Sequence, residues 1–103
     1  MPTVAYAATF ERELAAQVVH LAEHGGAALV DRLKDDLARL RDLLARFPWS
    51  GTELTSERDR RLRKLKLRHA PFTVWYIVDP VADRVMLTRL FHGRQRTPGP
   101  RLP

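Results

Sequence analysis

RLRKLKLRHAPFTVWYIVDPVADRVMLTRLFHGRQ, residues 61–95, decides the fold. It reads as three consecutive strands joined by short turns. Over Leu62–Arg68 the chain alternates, with Lys64, Lys66 and Arg68 on one face and Leu65 and Leu67 on the other. Phe72–Asp79 is a near-continuous apolar run rich in aromatic and β-branched residues, which suits a central strand buried on both faces. Arg84–His92 is apolar through Val85, Met86 and Leu87 and turns polar at Arg89 and His92. Ala70-Pro71 separates the first pair of runs, and Asp79-Pro80 with Asp83 separates the second. The expectation is a β-meander that carries a row of basic side chains and ends in Arg89, His92 and Arg94.

Upstream of the meander the periodicity changes. Thr3–Ala8 is a short, lightly apolar strand candidate suited to a sheet edge. Thr9 is a good N-cap, and Glu11 and Glu13 fall where a helix dipole favours acids. Phe10, Leu14, Val18, Leu21 and Ala22 then form one helical stripe, ended by Gly25-Gly26. A second stripe runs through Val30, Leu33, Leu37, Leu40, Leu44 and Phe47 and stops at Pro48. Two amphipathic helices joined by a tight Gly turn make a helical hairpin, whose apolar stripes need a sheet to cover. Glu53–Arg61 is polar and reads as loop or a short helical turn. The order is therefore β-α-α-β-β-β. The fold class is α+β, with a helical hairpin packed on one face of a small, mostly antiparallel sheet. Residues 1–97 form one domain, and the Pro-rich segment 98–103 is a loose tail.

Charge is segregated along the chain. Residues 1–47 carry 6 basic and 7 acidic side chains, whereas residues 48–103 carry 12 basic and 5 acidic, within an overall charge of +6. A basic sheet under a near-neutral helical layer points to a polyanionic partner: nucleic acid, ribosome or an acidic protein. The absence of cysteine excludes disulfides, thiol nucleophiles and Cys-based metal sites. No apolar stretch is long enough to cross a bilayer, and no signal pattern opens the chain.

Three groups of residues are candidates for chemistry. The basic ridge places Arg58, Arg60, Arg61, Arg63, Lys64, Lys66 and Arg68 within eleven residues, opposed only by Asp59. Such cations bind a phosphate backbone or stabilise a phosphorane; equally, lysines on a strand guard against edge aggregation. Arg89, His92 and Arg94 form the second group, in which His92 is the one side chain suited to proton transfer at neutral pH. A single histidine at a strand end is more often a hydrogen-bonding residue. The aromatics Phe72, Trp75, Tyr76 and Phe91 lie in the most apolar runs and belong to the core rather than to a base-stacking platform. No metal-ligand spacing or phosphate-cradling glycine loop is present, so neither metal nor cofactor is expected.

This arrangement resembles the RelE/ParE superfamily of type II toxin–antitoxin toxins. The element order, Phe47-Pro48 after the second helix, and the strand LRKLKL followed by FTVWYIVD carry the likeness. The most specific part is MLTRLFHGRQ, residues 86–95, which is similar to the closing strand of ParE-like toxins: an apolar run, Arg89, two apolar residues, His92, any residue, Arg94. The resemblance implies a cytoplasmic growth inhibitor held by a cognate antitoxin in a hetero-oligomer, with no membrane association. A ParE-like member acts by binding DNA gyrase, through Arg61, Arg63, Lys64, Lys66, Arg68, Arg89 and Arg94 here. The alternative is a RelE-like, ribosome-dependent mRNA endonuclease with Lys66, Arg89 and His92 as catalytic residues. A third reading is an inactive basic binding protein of the same fold. Ribonuclease members often place an aromatic after this histidine, and Gly93 stands there instead, which favours the ParE-like branch.

Overall fold

The structure, a computed structural model, describes the backbone of residues 1–57 and 60–93, and the side chains of these residues outside 55–60. Arg94 and the expected tail at 98–103 lie outside the described residues. Seven elements follow in order: β1 (Thr3–Tyr6), α1 (Ala8–Glu23), α2 (Ala27–Arg46), β2 (Thr52–Glu57), β3 (Arg60–Lys66), β4 (Phe72–Asp79) and β5 (Arg84–His92). The five strands form one sheet in the order β1-β5-β4-β3-β2. β1 runs parallel to β5, and every other pairing is antiparallel.

The expected α+β arrangement is present, with one strand more than expected. Residues 52–57, read as loop or helical turn, pair with β3 as the edge strand β2. Leu54 is the only large apolar side chain there, so pairing rather than periodicity makes this a strand. Arg68 lies past the end of β3, in the turn, instead of on the strand.

The hairpin helices differ from the reading at their ends. α1 begins at Ala8, with Ala7 rather than Thr9 as its cap. The Ala7 N–H still donates to Leu87 O at 2.8 Å, so the chain turns into helix directly from β1. Gly25 adopts φ 73° after α1, and the Gly26 N–H reaches back to Leu21 O at 2.7 Å. That is the left-handed exit glycine permits. α2 stops at Arg46, so Phe47 leaves the stripe and is 62% exposed, contrary to the expectation that it packs. Ala22 is also exposed.

The main core lies between the hairpin and the sheet. Phe10, Leu33, Leu37 and Leu44 face Phe72, Val74, Tyr76, Val85, Leu87 and Leu90. A smaller cluster of Leu62, Trp75 and Phe91 buries the helix-free face. The four aromatics are therefore core residues, as expected, but they divide between two faces. β4 is buried on both sides because both clusters use it.

A β-bulge sets which side chains of β5 face which way. Trp75 pairs with Arg89 and Tyr76 with Leu87, leaving Thr88 without a partner residue. The extra residue reverses the alternation. Val85 and Leu87 face the helices before it, Leu90 and His92 after it, and Arg89 is turned to the other face.

Leu37 is 4% exposed in this core. Leu37→Ala is expected to cost about 2–5 kcal/mol by chemical denaturation, whereas Phe47→Ala should stay within about 0.5 kcal/mol. Equal effects at the two positions would contradict the described end of α2.

Candidate functional site

The basic side chains named from the sequence fall into two sets with different occupations. Arg63 is bound into the fold. Its guanidinium donates to Trp49 O at 3.1 Å and to Gly51 O, lies 3.5 Å from Glu53 Oε2, and sits over the Trp49 ring. Gly51 completes this knot: its N–H donates to the Tyr76 hydroxyl at 2.8 Å, and a Cβ there would meet Lys64 O at 2.5 Å. Burial raises the Tyr76 phenol above its ordinary value, against the lowering effects of the Gly51 N–H and the Arg63 charge.

Arg89 is equally engaged. Its Nε lies 3.0 and 3.1 Å from the two Glu13 carboxylate oxygens, and Nη2 lies 3.1 Å from Oε2. The same carboxylate accepts the Leu90 N–H at 3.0 Å. β1 covers β5 only as far as Leu87, so Glu13 takes over where the strand ends. Arg89 also lies over the Phe91 ring, 4.9 Å from its centroid. Glu13, expected merely to favour the helix dipole, is thus the partner of the most conspicuous arginine in the closing strand.

Lys64, Lys66 and Arg68 form the other set. All three are exposed. None makes an ion pair with a described residue. Lys64 and Lys66 project from the helix-free face, where Lys66 pairs with Thr73 beside Phe91. Thr52, Lys64, Lys66, Thr73 and Trp75 line an open depression there. Arg61 is half-buried.

His92 is on the opposite face from Lys66. It pairs with Phe72, a helix-side core residue, and packs edge-on to that ring at 5.2 Å. Lys66, Arg89 and His92, the three residues a nuclease reading requires, are thus not brought to one place. Lys66 and Arg89 share the helix-free face, where Arg89 is latched to Glu13 of α1, and His92 packs against the helix-side core.

The sequence reading missed a buried carboxylate. Asp36 of α2 is 3% exposed. It accepts the His69 N–H at 2.8 Å, the Ala70 N–H at 2.7 Å and His69 Nδ1 at 3.0 Å. A carboxylate only accepts, so Nδ1 carries the proton. Arg39 lies 3.5 Å away. Asp36 thereby holds the β3–β4 turn onto α2. Burial pushes its carboxyl up. The hydrogen bonds from Ala70 and from His69's ring and N–H, with the imidazole charge, outweigh this and hold it below its ordinary 3.8. The signal lay in an acid next to Leu37 on the apolar stripe. Among the described residues, no group of three or more metal-ligating side chains exists, and no helix is long and apolar enough to cross a membrane.

A two-helix hairpin on a five-stranded mixed sheet is the architecture of the RelE/ParE-like toxins. Residues 4–97 match the family described as the ParE toxin of type II toxin–antitoxin system, parDE, and the chain belongs to that family. No curated protein sequence matches it. Among solved structures, it is similar to the chromosomal ParDE TA system from P. aeruginosa, with TM-score 0.68, 15% identity and coverage of 89% of this chain and 96% of that one. It is also similar to the archaeal RelE–RelB complex from Pyrococcus horikoshii OT3, with TM-score 0.64, 16% identity and coverage of 92% and 98%. For the isolated E. coli RelE toxin the values are 0.59, 16%, and 93% and 88%.

The Asp36 site carries a pH signature. Its folded-state carboxyl titrates below the unfolded one, so the unfolded chain binds more protons as pH falls. The stability it contributes is present above the unfolded value and is lost in acid. From about pH 5 to about pH 3 the denaturation midpoint should fall more steeply in the native sequence than in Asp36→Asn. At neutral pH Asp36→Asn should itself cost about 1–3 kcal/mol. Parallel pH profiles for the two proteins would contradict this account.

Proposed function

We propose that this chain is a cytoplasmic type II toxin that arrests growth by binding DNA gyrase, and that a cognate antitoxin neutralises it. What carries the reading is that His92, the one proton carrier of the set, lies on the face opposite Lys66, while Arg89 is occupied by Glu13. Metal-free RNA cleavage needs a proton acceptor for the 2′-hydroxyl, a donor for the leaving oxygen, and cations for the phosphorane, all at one phosphate. Acid–base catalysis contributes about 10²–10⁴-fold, and it requires the groups within hydrogen-bond reach of the reacting atoms. Protein binding needs no such convergence. It needs an accessible surface of charge and apolar contact, which Lys64, Lys66 and the helix-free face offer. The family match to ParE toxins supports the same reading. The structural likeness to a ParDE TA system and to a RelE–RelB complex supports an antitoxin partner.

Induced expression tests this with growth arrest as the readout and soluble protein checked in each strain. Lys64→Glu with Lys66→Glu should abolish arrest, because it reverses the accessible cations without touching the core. His92→Ala should leave arrest largely intact, with thymidine incorporation stopping before methionine incorporation. If His92→Ala alone restores growth in a folded protein, and cleaved mRNA vanishes with it, the gyrase reading fails and the endonuclease takes its place.

A further inference from the structure

We propose that His20 and His24, at the C-terminal end of α1, chelate one divalent transition-metal ion of the zinc, nickel or copper type. This does not depend on the reading of the chain as a gyrase-binding toxin. Residues 20–24 read His-Leu-Ala-Glu-His. Side chains four residues apart lie one above the other on a helix, and histidines at that spacing offer two imidazoles to a single ion. The expectation that the chain carries no metal-ligand spacing therefore does not hold for α1.

The geometry adds to the spacing. The two rings lie 4.3 Å apart between centroids, tilted by 37°, and both residues are exposed. Two nitrogens bound to one ion at about 2.0–2.1 Å must stand roughly 3 Å apart. Rings already this close reach that separation by side-chain rotation, with the backbone in place. His24 is also oriented in advance. Helix α1 ends at Glu23 and His24 is its C-cap, its backbone N–H directed at His20 O and Leu21 O. Its ring Nδ1 lies 2.7 Å from His20 O. A carbonyl only accepts, so Nδ1 carries the proton and Nε2 keeps its lone pair for an ion. In metal sites a ligating histidine commonly donates its other ring nitrogen to a carbonyl in this way, which fixes the tautomer and the ring. The His20 ring makes no hydrogen bond with a described residue, so it has no competing duty. The other two histidines do have one: His69 Nδ1 is held by Asp36, and His92 packs edge-on against Phe72.

Charge favours the same place. The C-terminal end of a helix is the negative end of its dipole and stabilises a cation. Glu23, next to His24, is an exposed acid. Imidazole selects zinc, nickel and copper, whereas magnesium and calcium prefer oxygen ligands. With two nitrogens from the chain, water completes the coordination sphere. The ion ties the last turn of α1 to its cap just before the Gly25-Gly26 turn, so binding stabilises the helical hairpin.

The test titrates the full, untagged chain with Zn²⁺ in a buffer that does not chelate, with Mg²⁺ as the control. Histidine ring resonances are followed by NMR. Those of His20 and His24 should shift together and saturate at one Zn²⁺ per chain, those of His69 and His92 should stay in place, and Mg²⁺ should move none. His20→Gln and His24→Gln should each weaken binding by at least about tenfold. His20→Gln changes an exposed helix position, so its thermal midpoint without metal should match that of the native sequence. Zn²⁺ at about ten times its Kd should raise the native midpoint by about 5 °C and leave that of His20→Gln nearly unmoved. No shift of either ring at about 1 mM Zn²⁺ would overturn the proposal. So would a shift at His69 or His92 in their stead, or equal affinity in His20→Gln. A doubling of mass on adding Zn²⁺ would also overturn it, because the ion would then be held between two chains rather than by one helix.

Discussion

The carboxylate of Glu13 is the contact on which the arrangement of this molecule depends. β1 is four residues long and releases β5 at Leu87. The chain must then turn into α1 while β5 continues for another five residues. Without a replacement partner, the Leu90 N–H would stand at a half-buried edge beneath the helix, which is costly. Glu13 accepts it and, with its remaining capacity, pairs with Arg89 in a charge-assisted geometry. One side chain thereby closes the sheet edge, docks α1 and immobilises an arginine that would otherwise face solvent. The bulge at Thr88 belongs to the same device, since it places Leu90 toward the core and Arg89 away from it.

That latch divides the basic charge of the second half into structural and accessible parts. Arg63 clamps the loop from Trp49 to Gly51, and Arg89 clamps α1. Neither is available to a ligand without giving up contacts within the fold. Lys64, Lys66 and Arg68 have no such duty among the described residues.

What was legible in the sequence was whatever local periodicity controls. Leu33, Leu37, Leu40 and Leu44 of α2 repeat at helical spacing and are buried as that spacing requires. β4 and β5 run over the residues that their apolar runs mark, and β1 takes the edge position its light apolar content suggests. What was not legible depends on distant residues. TELTSE becomes β2 because β3 lies beside it. Thr9 loses the cap position because Ala7 is held by Leu87. Asp36 is buried because a turn more than thirty residues away supplies its donors. The partner of Arg89 lies 76 residues earlier in the chain, so no reading of the closing strand alone would show that this arginine is occupied. The bulge at Thr88, which puts His92 and Lys66 on opposite faces, has no signature in the residue types of β5.

The most direct measurement compares two purified reactions with the same toxin preparation: DNA supercoiling by gyrase, and translation of a defined mRNA on ribosomes. The account predicts that the chain inhibits supercoiling, that Lys64→Glu with Lys66→Glu loses the inhibition, and that the mRNA stays whole. An unaffected gyrase together with mRNA cut in a His92-dependent manner would contradict it.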